Sequence, residues 1–134
     1  MINREDLESF FIRMDVEAEE VEENIWVLHG EEGGADVVVT YAPPVVLLRI
    51  KVMDLPDAPD GALAGFFRRL LELNASDLVH GSYGIEEGAV ALSDALELET
   101  LDFQELRASY ESIVFAASSH TPDLAELVPV AQKG

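Results

Sequence analysis

Asp36-Val37-Val38-Val39-Thr40-Tyr41, then Pro43-Pro44, then Val45-Val46-Leu47-Leu48-Arg49-Ile50-Lys51-Val52 carries the strongest strand signal of the chain. Two runs rich in β-branched residues flank a proline pair that neither strand can absorb, so they read as consecutive strands joined by a break. In the second run Leu48, Ile50 and Val52 point one way and Arg49 and Lys51 the other, the period of two that a strand imposes. Upstream, Ile25-Trp26-Val27-Leu28 is another strand, separated by the turn Glu31-Glu32-Gly33-Gly34. The three form an antiparallel meander. The acidic run Glu17-Ala18-Glu19-Glu20-Val21-Glu22-Glu23 repels itself too strongly for a packed helix and reads as a lead-in to the first strand.

Toward the N-terminus, Leu7, Phe10, Phe11 and Met14 recur at i, i+3, i+4 and i+7, which predicts an N-terminal amphipathic helix capped by Asn3. After the meander, Asp54-Leu55-Pro56-Asp57-Ala58-Pro59-Asp60-Gly61 is a loop with Asp60 as the expected cap of a second helix. That helix carries Leu63, Phe66, Phe67, Leu70, Leu71 and Asn74 on one stripe. Strand composition returns at Val79–Glu86 and Ala89–Leu96, and Glu86-Glu87-Gly88 supplies the glycine of a tight hairpin. Asp102 and Glu105 form a helix-start pattern for Phe103, Leu106, Tyr110, Ile113, Val114 and Ala117. Thr121-Pro122 predicts the start of a separate short last helix. The expected fold class is α+β, in the order helix, three-strand meander, helix, two-strand hairpin, helix, with the helices covering one face of the antiparallel sheet.

The 134 residues suit a single domain, and 49% apolar content with a mean hydropathy of +0.13 supports a buried core. Asp and Glu total 27 against 8 Lys and Arg, for a net charge of −19, which repels phosphate backbones and anionic bilayers. Nucleic acid and membrane partners are therefore not expected. Cysteine is absent, removing disulfides, thiolate metal sites and cysteine nucleophiles together. The N-terminus lacks the pattern of a secretory signal, and no window has the ~18 apolar residues of a bilayer span, so a cytoplasmic location is expected.

Motifs for catalysis are thin. His29, His80 and His120 have no metal-ligand spacing, so no metal or other cofactor is expected. His80-Gly81-Ser82-Tyr83-Gly84 falls short of the Gly-x-Ser-x-Gly elbow and sits in strand composition. Asp54, Asp57 and Asp60 are three apart rather than two, with Gly65 at the twelfth position where a calcium loop needs Glu. No glycine-rich phosphate loop is present. An enzyme using His80, Ser82 and a carboxylate, or binding a small molecule, is the alternative reading, and an orphan structural dimer is another.

Acid is unevenly placed. Residues 1–36 hold 12 acids and 2 bases, net −10, and residues 37–134 hold 15 acids and 6 bases, net −9. Solubility explains such a surface, and so does an acidic rim that steers a basic polypeptide toward an apolar sheet.

The stretches Leu70-Leu71-Glu72-Leu73-Asn74, His80-Gly81-Ser82-Tyr83-Gly84-Ile85, Gly88-Ala89-Val90-Ala91-Leu92 and Leu101-Asp102-Phe103-Gln104-Glu105-Leu106 resemble the YbjN and type III secretion chaperone-like (CesT/Tir chaperone-like) superfamily. The resemblance covers roughly residues 60–118, with residues 1–58 agreeing in topology only. It implies a small acidic bacterial homodimer with helices packed on a curved antiparallel sheet, not an enzyme, that binds an extended client polypeptide as secretion chaperones do or acts as a YbjN-type regulator. No family catalytic residue exists to carry over. Trp26, Val37, Val39, Leu47 and Phe67 are the candidate partner contacts.

Overall fold

In the computed structural model, which describes residues 1–31 and 34–128, the chain forms one six-stranded antiparallel sheet with its helices packed on one face. The elements are α1 (Arg4–Arg13), β1 (Glu17–Glu22), β2 (Ile25–His29), β3 (Val37–Ala42), β4 (Val45–Asp54), a 3-10 turn (Asp60–Leu63), α2 (Ala64–Ser76), β5 (Ser82–Glu86), β6 (Ala89–Glu97) and α3 (Phe103–Glu126). Strand order is β1-β2-β3-β4-β6-β5, so the later hairpin joins the meander through β4 and β6. The expected α+β class and helix placement hold, but the meander has four strands rather than three.

The added strand is the acidic run. Glu17 pairs with His29, Glu19 with Val27 and Glu22 with Ile25, and all six residues of β1 are exposed. The repulsion that forbids a helix is relieved in an extended edge strand, where successive side chains leave on opposite faces into water. Its backbone bonds to β2, so no apolar alternation is needed to hold it.

Burial follows the two-residue period elsewhere. Trp26 and Leu28 on β2, Val37 and Val39 on β3, Val46, Leu48 and Ile50 on β4, and Val90 and Leu92 on β6 form the inner face. The helices cover it with Leu7 and Phe11, Phe66, Leu70 and Leu73, and Leu106, Ile113, Ala117 and Leu124. Phe11 meets Trp26 edge-on at 5.7 Å, and Phe10 meets Phe103 at 5.8 Å, so α1 bridges the sheet and α3.

Caps are mixed. Asn3 makes a full capping box, accepting from the Asp6 amide at 2.8 Å while its own amide donates to Asp6 at 3.1 Å. Asp102 caps α3 by accepting from the Glu105 amide at 2.8 Å. Asp60 caps nothing: it lies inside the 3-10 turn, whose cap is Pro59, and α2 begins after Leu63 without a side-chain cap. Leu71, expected on the buried stripe of α2, is 68% exposed, whereas Leu73 is fully buried. Val79 is 84% exposed and precedes β5, which starts only at Ser82.

No break occurs at Thr121-Pro122. The helix α3 runs straight through, with the Thr121 hydroxyl donating to the Ala117 carbonyl at 2.5 Å. Burial of Leu124 holds the last turn against the core and outweighs the hydrogen bond that Pro122 cannot donate. The hairpin behaves as expected, with Glu87 at φ 48° and Gly88 at φ 77°, the paired positive angles of a type I′ turn. Of the expected turn before β3, Glu32 and Gly33 lie outside the described residues.

Candidate polypeptide-binding surface

Two exposed features lie on the β1 side of the molecule. The first is a groove between α1 and β1, of about 370 Å³, lined by Glu8, Phe11, Ile12, Val16, Ala18, Glu20 and Trp26. Phe11, Ile12, Val16, Ala18 and Trp26 make its lining largely apolar, although Phe11 and Trp26 are each only 2% exposed. Ile12 stands on the rim at 79% exposure. Ala18 and Glu20 face the groove because they pair with Leu28 and Trp26, residues of the sheet's helix-covered face.

Arg4 contacts two of the lining residues, Glu20 and Trp26. Its guanidinium donates to Glu20 and to the Asn24 side chain, both at 2.9 Å, and lies 5.1 Å from the Trp26 ring centroid. The hydrogen bond from Arg4, with a second from the Asn24 amide, holds the Glu20 carboxyl below the usual carboxylate range. Trp26 itself is 2% exposed, and its Nε1 finds no hydrogen-bond partner among the described residues.

The second feature is the sheet face away from the helices. Glu17, Glu19 and Glu22 rise from it on β1, next to His29, Val27 and Ile25. The row continues through Val38 and Thr40 on β3 to Leu47 and Arg49 on β4. Leu47 is 40% exposed. On β6 and β5 the same face narrows to Ala91, Ser93, Ala95, Ser82 and Gly84. Arg49 is paired with Glu86, and Lys51 with Asp54 at 2.8 Å, so the bases of this face are already engaged.

The five expected contact residues do not share one surface. Trp26, Val37 and Val39 lie in the core between sheet and helices, with Trp26 alone reaching a groove. Leu47 is on the open face, and Phe67 is half-buried on α2 beside Phe66. Ile12, Val16 and Glu20 escaped the sequence reading. Ile12 was visible there as an apolar residue off the helix stripe, but Val16 and Glu20 become groove residues only through the pairing of β1.

Of the histidines, His29 lies between Glu19 and Asp36 at 3.4 and 3.7 Å. His120 accepts from or donates to the Tyr83 phenol at 2.7 Å and faces Asp77 at 3.5 Å. Nδ1 of His80 is buried without a partner, and no hydrogen bond joins His80 to Ser82 or to a carboxylate among the described residues. Among those residues no cluster of three or more His, Asp or Glu side chains could hold a metal ion either. No described helix is long and apolar enough to cross a membrane.

Among the described residues, three helices packed on one six-stranded antiparallel sheet define an α+β fold. Residues 2–129 match the CesT_Tir_1 family model, and the chain belongs to that family. Among solved structures, a chain of the heterodimeric ExoU-SpcU complex from the type III secretion system of Pseudomonas aeruginosa has a TM-score of 0.68 at 16% identity, covering 85% of this chain and 93% of that one. YbjN from E. coli gives 0.67 at 13% identity, covering 91% and 93%. A chain of the ExsC-ExsE complex gives 0.59 at 19% identity, covering 92% and 90%. No curated protein sequence matches the chain.

Proposed function

We propose that this chain is a non-enzymatic, cytoplasmic, homodimeric polypeptide-binding protein whose client is an extended segment carrying basic residues. The observation that carries the reading is the union of an exposed acidic edge strand with an apolar groove alongside it. An extended client pairs its backbone with β1, places alternate apolar side chains toward Phe11, Val16 and Trp26, and turns Lys or Arg toward Glu17, Glu19 and Glu22. Leu47 and its half-buried neighbours Val27 and Val38 extend the contact across the open face. Family membership, together with the structural likeness to a chain of the HopA1-SchA chaperone-effector complex (TM-score 0.61 at 12% identity, covering 89% of this chain and 97% of that one), supports a polypeptide client.

Charge sets approach rate and partner choice more than final affinity, so the acidic first 36 residues, net −10, disfavour acidic chains and nucleic acid while admitting basic segments. The test is fluorescence anisotropy with a labelled peptide alternating Lys and Val, against the wild-type chain and the triple variant Glu17→Lys, Glu19→Lys, Glu22→Lys. Binding that weakens at least about tenfold in the variant, a difference of about 1.4 kcal/mol, supports the reading. Equal binding by both proteins rejects it.

A further inference from the structure

The sheet has two edges, and they are closed by different means. At β5, the Asn74 side chain reaches from α2 to the backbone of Tyr83. Its Oδ1 accepts from the Tyr83 amide at 2.7 Å, and its Nδ2 donates to the Tyr83 carbonyl at 3.2 Å. A primary amide that engages both backbone groups of one strand residue reproduces the pair of bonds a neighbouring strand would make. Because Tyr83 turns both groups away from β6, the alternation of an antiparallel ladder turns those of Gly84 toward β6 and those of Ile85 outward again. In a five-residue strand, one of these two central outward positions is therefore already occupied.

We infer that Asn74 is a specificity residue that closes the β5 edge to strand addition, leaving β1 as the edge at which an extended polypeptide pairs. The second half rests on the polypeptide-binding reading; the first does not. Exposed strand edges pair indiscriminately unless they are blunted. At β1 the blunting is electrostatic and conditional, since four Glu in six residues repel a second acidic copy but not a basic strand. At β5 only Glu86 is charged, Ser82, Gly84 and Ile85 are exposed, and the guard is the Asn74 amide. With that amide removed, the occupant expected at β5 is the β5 strand of a second copy, antiparallel about Gly84. Tyr83 and Ile85 of each chain then exchange the bonds that Asn74 had held.

The chain has no cysteine, and a Cβ built on Gly84 meets nothing within 4 Å, so Gly84→Cys gives a clean reporter. In the expected pairing the two introduced thiols face each other at a non-hydrogen-bonded pair, the closer kind, within disulfide reach. The experiment compares the rate of disulfide-linked dimer formation under oxidised glutathione for Gly84→Cys alone and for Gly84→Cys with Asn74→Ala. A rate at least about tenfold higher in the double variant is expected, with Gly84→Cys, Asn74→Asp, which keeps the acceptor and loses the donor, in between. Should the Ala variant fail to fold, the Asp variant carries the comparison. Equal rates in the folded variants overturn the inference, and they leave the binding of a basic peptide at β1 untouched.

Discussion

The Tyr83 phenol oxygen lies 2.7 Å from Nδ1 of His120, whose Nε2 faces Asp77 at 3.5 Å. A strand, α3 and the end of α2 thus meet at one imidazole. Burial pushes the Tyr83 phenol up to about 12. A phenol whose folded value lies above its unfolded value near 10 contributes stability fully below pH 10, and that contribution is lost as pH rises from 10 to about 12. Tyr110, also raised by burial, acts in the same direction.

Tyr83→Phe is accordingly expected to cost about 1 kcal/mol at pH 7 through the lost hydrogen bond, and to flatten the alkaline loss of stability. Urea unfolding from pH 8 to 12 checks both. In the wild type, each group contributes a slope of at most about 1.4 kcal/mol per pH unit in that window. An alkaline slope unchanged by the substitution would show that Tyr83 ionises as freely in the folded chain as in the unfolded one.

Gly81→Ala should destabilise by more than about 1 kcal/mol. Gly81 has φ +79°, and a Cβ there would sit 2.7 Å from the Ser93 carbonyl oxygen, backbone that cannot swing aside. A fall of several degrees in thermal midpoint is the expected reading. A midpoint equal to wild type would mean that the link before β5 can adopt another path.

Phe11→Ala should cost about 3–5 kcal/mol, because the ring is 2% exposed and meets Trp26 edge-on. The loss also deepens the α1–β1 groove next to Trp26, the only tryptophan of the chain. Its fluorescence, measured in the folded variant at low denaturant, should shift to longer wavelength as water reaches the indole. An unshifted spectrum would show that other side chains refill the space.

The parts of this fold that bury an apolar period were open to reading from the residues: α1 from Leu7, Phe10 and Phe11, β4 from Leu48, Ile50 and Val52, and the type I′ hairpin from Gly88. The rest depended on forces that leave no local pattern. The strand β1 has no buried side chain, and only its hydrogen-bonded register with β2 reveals it. Thr121-Pro122 carries a strong helix-start signal, yet burial of Leu124 near the end of α3 overrides it. The groove is half-legible, since Trp26 stands out while Glu20 faces it only through the pairing of β1 with β2. Asn74 read as one more position on a helical stripe, because its bonds to Tyr83 are made across an element boundary.

The most direct test of the central claim is backbone hydrogen exchange with and without the peptide alternating Lys and Val. Slowed exchange is expected in Glu17–Glu22 on β1, reversed by raising the salt concentration, with no slowing in Ser82–Glu86 on β5. Protection confined to β5, or absent from both edges while the peptide is bound, would contradict it.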